Sequence, residues 1–411
     1  MKSINSFHEV VPPEINIICQ KLWDNGINCT VVGGIVRDFF NDSKKLLDWD
    51  FEIRFIDNKG KDLESKIQEL LPNVQALGFG VFRSQINEDY QLEFSLPRTE
   101  DFNVLVDQIH GHPLSHKDVE IKLDHHFSYT QSFARRDLTI NAIGVEFNNS
   151  KWNLVDPFDG LSDLKNRVST FCTEDFAFDP VRYLRTIRFE ILFNLKRSSK
   201  LNELMKKMNL SLTTDHYLLY ESMKAGFFPF MRKFFDSIEE HQVSFPESWL
   251  EIKFLQKNDL PQTFLTADQI LLHSVWKTKW NLSDLGKLER FLKLRRGRAK
   301  HYLVGKELFN KIVAINWDEK IAELTKLSWS QKLNHQDFLD CVEFHKHFDS
   351  WTVEEESSLC IQFDEQKRFQ SWRSYFSREL DGKDLFANNQ AKENVQPNQR
   401  SLYKLHCHLN S

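Results

Sequence analysis

Cys29-Thr30-Val31-Val32-Gly33-Gly34-Ile35-Val36-Arg37-Asp38, followed by Leu46-Leu47-Asp48-Trp49-Asp50-Phe51, is the stretch that decides the fold. The apolar run at 29–32 predicts a short strand that enters Gly-Gly directly, and 35–40 then reads as a helix start. Leu46 to Phe55 predicts a second strand. Residues i and i+2 of a strand point to one face, so Asp48 and Asp50 converge while Trp49 and Phe51 face the core. Two like charges side by side on a sheet are destabilising unless something neutralises them. A divalent cation is the natural partner, and oxygen ligands suit Mg²⁺; a solvated surface pair is the alternative. A strand that leads through Gly33-Gly34 into a helix also presents backbone N–H groups where phosphate oxygens are favoured. A plain strand-to-helix turn is the alternative there.

Outward from this stretch, residues 13–24 predict an amphipathic helix that ends near Asn25-Gly26, and 60–71 a further helix. Strands are expected near 74–77, 80–86 and 90–96. Residues 100–130 are polar and rich in histidine (His110, His112, His116, His125, His126), which predicts an extended loop region. From 161 onward helix follows helix, and 387–400 reads as a loop. Glycine usage follows the same division: of 14 glycines, nine lie by residue 160 and five in the rest. Proline is absent between Pro261 and Pro397. The expected class is therefore an α+β N-terminal part with a mixed sheet, followed by a long all-α remainder.

Composition narrows the function classes. No stretch approaches the roughly 18 apolar residues of a membrane span. The start, MKSINSFHEVVPPE, lacks the apolar core of a secretory signal. Six scattered cysteines with no CxxC point to free thiols in a reducing, cytoplasmic setting rather than to a disulfide framework or zinc ribbon. His406-Cys407-His408 reads either as a metal-binding cluster or as an incidental terminus. At a net charge of −5, a nucleic-acid partner must be met by local basic surfaces.

Two further constellations carry chemistry. Glu93, in Tyr90-Gln91-Leu92-Glu93-Phe94, sits in an expected neighbouring strand and is a candidate third acid beside Asp48 and Asp50; an exposed strand face is the alternative. Two metals bound there can activate an attacking hydroxyl and stabilise a departing pyrophosphate. In Ala134-Arg135-Arg136-Asp137-Leu138-Thr139-Ile140-Asn141-Ala142, helical spacing would put Arg136, Asp137 and Asn141 near one face. Guanidinium groups bind triphosphate oxygens, while Asp and Asn can hold ribose hydroxyls.

GGIVRD, the Asp-Trp-Asp pair, RRDLTINA, Val155-Asp156-Pro157-Phe158-Asp159-Gly160-Leu161-Ser162-Asp163-Leu164 and Asp179-Pro180-Val181-Arg182-Tyr183-Leu184-Arg185-Thr186-Ile187-Arg188-Phe189 occur in that order. Together, over residues 28–195, they resemble the class II tRNA nucleotidyltransferase and bacterial poly(A) polymerase family. The resemblance implies a polymerase β-like nucleotidyltransferase head at 1–140, a base-selecting neck at 141–200, a helical body at 201–290 and a tRNA-binding tail at 291–411. It makes Asp48, Asp50 and Glu93 catalytic, with Asp48 and Asp50 as Mg²⁺ ligands. Gly33, Gly34, Arg37, Arg136, Asp137, Asn141, Arg185 and Arg188 would bind the nucleotide. Asp179 and Arg182 would act as a protein template, where Asp offers only acceptors and Arg only donors to a base edge. A structural Asp–Arg ion pair is the alternative. Members commonly carry Glu before that Asp, and this chain has Phe178.

The implied activity is addition of C, C and A to the 3′ end of tRNA from CTP and ATP, with no membrane and no stable protein partner. Leu96-Pro97-Arg98-Thr99-Glu100 resembles tRNA nucleotidyltransferases more than poly(A) polymerases, and the long 100–135 interval favours complete CCA addition. CC-only, A-only or poly(A) addition, a small-molecule nucleotidyltransferase and an inactive RNA-binding protein are the alternatives. RNA contact is expected from Lys196, Arg197, Lys200, Lys206 and Lys207, and from the denser cluster Lys293, Arg295, Arg296, Arg298, Lys300 and His301.

Overall fold

A computed structural model describes residues 2–42, 49–56, 63–87, 90–102, 119–258, 265–300, 302–303 and 306. The chain divides into two compact units, Met1–Phe264 and Leu265–Ser411. Asp48, His301, the 387–400 stretch and His406-Cys407-His408 lie outside the described residues.

The first unit opens with α1 (Pro13–Asp24), which has proline in its first turn and buries Ile15, Ile18, Cys19 and Leu22 at helical spacing. Gly26, at φ +73°, turns the chain into β1 (Ile27–Val32). There follow α2 (Gly34–Phe40), β2 (Trp49–Phe55), α3 (Leu63–Leu70), β3 (Val74–Gly78), β4 (Val81–Gln85) and β5 (Gln91–Ser95). These match the helices and strands expected from periodicity. The interval expected to be loop also holds β6 (Arg98–Asp101) and β7 (Glu120–Leu123), paired antiparallel as a separate ribbon, and then α4 (Tyr129–Phe133).

Next come β8 (Gly144–Asn148) and β9 (Lys151–Val155), which complete a seven-stranded sheet in the order β3-β4-β5-β2-β1-β8-β9. The sheet therefore continues past residue 140. The sheet is mixed: β2 runs parallel to β5 and antiparallel to β1. Its centre is apolar, with Val31, Phe51, Ile53, Phe94 and Val145 all buried. Burial of such side chains stabilises by about 1.5–3 kcal/mol each, which fixes the central register. In that register Val32 lies opposite Asp50, and Asp50 lies beside Glu93.

Helices dominate the remainder: α5 (Gly160–Asn166), the short ribbon β10 (Val168–Ser169) with β11 (Lys196–Arg197), α6 (Val181–Phe193), α7 (Ser199–Met205), α8 (Asp215–Ala225) and α9 (Phe227–His241). The long α6 packs on α8 and α9. The Val155–Leu164 motif has a structural role here. Asp156 accepts hydrogen bonds from the Gly160 and Leu161 amides (2.7 and 2.9 Å), and Asp163 accepts one from Thr139 (2.6 Å). A side chain at Gly160 would start 2.1 Å from the Thr139 carbonyl oxygen, so glycine is required for α5 to support the 139–141 turn.

The second unit begins with α10 (Ala267–Lys277), capped by Thr266 and Gln269 in a reciprocal pair, and continues with α11 (Leu282–Phe291). Near the end of α11, Glu289 accepts from the Gly297 and Ala299 amides and shapes the turn that carries the basic cluster.

Candidate active site

One cavity of about 570 Å³ in the first unit gathers most of the candidate residues. Gly33, Gly34, Arg37, Asp50, Arg136, Asp137, Asn141, Asp179, Arg182, Arg185 and Arg188 all line it. Glu100, Arg135, Phe189, Tyr217 and Lys224 line it too and stood outside the expected site. Seven cationic side chains thus face four carboxylates in a protein whose net charge is −5. Such a positively lined cleft suits a polyanion.

The sheet supplies one end. Gly33 sits at φ +83°, a conformation that a side chain rarely adopts, and it starts α2. A Cβ there would lie 3.4 Å from an Asp50 carboxylate oxygen, an ordinary contact. Backbone conformation, not crowding, therefore requires the glycine. Trp49 and Phe51 are buried on either side of half-buried Asp50, as strand alternation predicts. A carboxylate on a rigid central strand, next to a glycine turn, fits a divalent cation by the chemistry of its oxygen donors. Glu93 is one strand away from Asp50, but its carboxylate binds the Arg83 guanidinium at 2.5 Å, and it does not line the cavity.

The 134–142 segment supplies the floor. It was expected to be helical, and is instead a turn followed by a short 3₁₀ helix at Thr139–Asn141. The grouping of side chains survives because they bond to one another. Asp137 accepts from Asn141 Nδ2 (2.9 Å), its neighbour's amide (2.8 Å) and Arg185 Nε (2.6 Å). Burial alone would raise the Asp137 carboxyl, but Arg185 and these donors outweigh it and hold the group well below the usual carboxylate range. Arg37 donates to Asn141 Oδ1 (2.6 Å) and to Asp38 (2.9 Å), while its guanidinium lies over Phe189 and Phe193. Arg136 donates to the Asn141 carbonyl at 3.2 Å, and burial lowers its pKa. Burial, with Arg136 and Arg98 alongside, pushes Arg135 down to about 9.

The start of α6 supplies the wall. Asp179 lies just before the helix in extended backbone, and its Oδ1 accepts from the Val181 amide at 2.9 Å. Arg182, in the first turn, approaches Asp179 Oδ2 at 3.6 Å and donates to the Arg135 carbonyl at 2.7 Å. Arg188 pairs with Glu221 of α8 at 2.6 Å, and burial pushes Arg188 down to about 10. No spacing rule links residues 188 and 221, so this partner could not be read from the sequence.

Residues 29–169 match the family model described as the poly(A) polymerase head domain. Over that segment the chain resembles a poly(A) polymerase head domain. The chain is 37% identical over 123 residues to a multifunctional CCA protein of Chromobacterium violaceum, covering 30% of this chain and 27% of that protein. A CCA-adding enzyme of Francisella tularensis subsp. novicida is 31% identical over 172 residues, 40% of this chain and 42% of the relative. A multifunctional CCA protein of Pasteurella multocida is 30% identical over 244 residues, 54% and 55% respectively. The chain thus spans about half, or less, of the length of these curated relatives. In fold it resembles the Bacillus stearothermophilus CCA-adding enzyme in complex with CTP, with TM-score 0.56, 15% identity, and 96% and 92% of the two chains covered. It also resembles the Thermotoga maritima CCA-adding enzyme complexed with tRNA, with TM-score 0.52, 18% identity, and 87% and 84% covered.

Some of the basic residues expected to meet RNA bind acids in place. Arg197, expected on an RNA-binding face, donates to Glu190 at 2.8 Å and is mostly buried, so it serves the packing of α6 instead. In the second unit Arg298 donates to Asp268 at 3.0 Å, while Lys293, Arg295, Arg296 and Lys300 are exposed. Asp124, His125 and His126 bring ligand atoms within 4.8 Å of one another, and none of them lines the cavity. No helix among the described residues is long and apolar enough to cross a membrane.

Proposed function

We propose that this chain is a template-independent, cytoplasmic nucleotidyltransferase that adds C, C and A to the 3′ end of tRNA from CTP and ATP. The observation that carries this reading is the convergence of Gly33, Asp50, Arg136, Asp137, Asn141, Asp179 and Arg182 on one cationic cavity. The names of the relatives agree with it, as do the CTP-, ATP- and tRNA-bound proteins whose fold it shares.

Each wall of the cavity has a separate task. Arg136, Arg185 and Arg188 neutralise the triphosphate, with Gly33, Gly34 and Arg37 beside it. Asp137 and Asn141 have remaining lone pairs for ribose hydroxyls. Asp137 is too weak a base to take a proton at neutral pH, so its task is positioning. Asp179 and Arg182 meet the base edge as acceptor and donor. The tRNA 3′-oxygen attacks the α-phosphorus, the bond to the β-phosphate bridging oxygen breaks, and pyrophosphate leaves. Asp48 and Asp50 would hold Mg²⁺, with Glu93 nearby, and the cation supplies hydroxyl activation and charge neutralisation. Lys293, Arg295, Arg296, Arg298 and Lys300 would meet tRNA phosphates, with reading by shape more than sequence.

Labelled CTP or ATP offered separately to tRNAs that end before CCA, after C and after CC tests this. Expected are C onto the first two ends and A only onto the third. Addition of A to any other end, or runs of A on unrelated RNA, would replace the reading with poly(A) addition. Transfer confined to C or to A would restrict it to partial activity.

A further inference from the structure

We propose that Phe102 and Phe178 form an aromatic brace that positions the Arg182 guanidinium and thereby sets base discrimination. The proposal rests on the reading that Arg182 meets the nucleotide base. Arginine is a long, rotamer-rich side chain and reads a planar edge only if its own plane is fixed. Around Arg182 the polar constraints are uneven. One hydrogen bond is short, 2.7 Å from Nη2 to the Arg135 carbonyl. The contacts to Asp179 and Glu100 are long, at 3.6 and 3.9 Å. Those two carboxylates leave the plane free to tilt about the single close bond.

The aromatic rings close that freedom. The Arg182 guanidinium carbon lies 5.5 Å from the centroid of Phe102, within cation–π range. Phe102 is 3% exposed, and its ring stacks on Phe178 at 5.9 Å with 25° between planes. Phe102 follows β6 and Phe178 ends the turn before α6, so the stack joins two elements that share no sheet. Arg182 Nη1 is buried and has no hydrogen-bond partner among the described residues, although Arg182 lines the cavity. A buried donor held this way costs free energy until an acceptor meets it. The base edge of an incoming nucleotide supplies that acceptor. Phe178 is also the position at which the sequence departs from its family resemblance. Its ring serves here as a positioning residue through Phe102, with no contact to substrate required.

The test is Phe178→Ala, with Phe178→Tyr as the conservative partner and Phe102→Leu as a second site. Phe178 is half-buried, so its truncation leaves the fold in place more readily than truncation of Phe102. For each variant kcat and KM are measured with CTP and UTP on tRNA ending before CCA, and Tm is read in parallel. The expected result for Phe178→Ala is a loss of CTP-over-UTP preference of about tenfold, the scale of one good bidentate contact. That loss should come mainly through KM and should be restored by Phe178→Tyr. An unchanged preference, or an equal loss for both nucleotides that tracks a fall in Tm, overturns the brace. Equilibrium binding of CTP and UTP without RNA gives the same ratio in protein that transfers nothing. Failure of CCA addition and failure of the brace are therefore separate results.

Discussion

The two sides of the cavity are built on opposite principles. On the sheet side, Asp50 stands on a strand and Gly33 directly follows one, and apolar neighbours fix both strands, so backbone register does the positioning. On the helical side, Asp137, Asn141, Arg37 and Arg185 are placed by one another, Arg182 by the Arg135 carbonyl and Arg188 by Glu221, through hydrogen bonds and ion pairs. A group held by register can be removed with little effect on the fold. A group held by its partners cannot, because each removal leaves a buried charge without compensation. The contrast makes the sheet side the place where chemistry fails cleanly, and the helical side the place where function and stability fail together.

The largest effect should separate the two. Asp50→Ala is expected to lower nucleotide transfer by about a thousandfold, the scale of losing a principal electrostatic group, while Tm and tRNA binding hold. A parallel fall in Tm would break the contrast at its sheet end. Arg185→Ala should do the reverse. It strands the buried Asp137 carboxylate and is expected to cost about 3 kcal/mol in denaturant unfolding, as well as activity. Gly160→Ala comes next. The new Cβ would meet the Thr139 backbone, and relief of that contact should cost about 1–3 kcal/mol and loosen the turn that holds Asn141.

A smaller effect sharpens the helical side through pH. His241, buried against Tyr183 and Arg197, is pushed down to about 4 from its ordinary value, first by burial and then by Arg197. The unfolded chain protonates it near 6.5, and the folded chain does not. Stability should therefore be full above about pH 6.5 and fall progressively as pH drops toward 4. Urea titrations across that window should show the slope in the wild type and a shallower one in His241→Gln.

The same contrast explains what the sequence disclosed. Strand alternation around Trp49-Asp50-Phe51 and the glycine turn before α2 are local patterns, and both stand in the structure as read. The 134–142 segment shows the limit. The spacing of Asp137 and Asn141 fits a helix turn, and it fits equally a turn closed by their own hydrogen bond. Periodicity cannot distinguish the two. Asp179 likewise sits just outside α6, where its carboxylate caps the Val181 amide. The partners that hold the wall, Glu221 for Arg188 and Glu100 near Arg182, come from distant positions and leave no local signal. Arg197 looked solvent-facing, like its exposed neighbour Lys196, because the buried Glu190 that binds it is seven residues away on another element.

The central claim is that side chains, rather than a nucleic-acid strand, choose the base. The most direct measurement is incorporation of all four nucleotides by Arg182→Ala onto tRNA ending before CCA. The expected result is that UTP and GTP use rises relative to CTP while transfer persists. An equal fall for all four nucleotides, with their ranking unchanged, would contradict it.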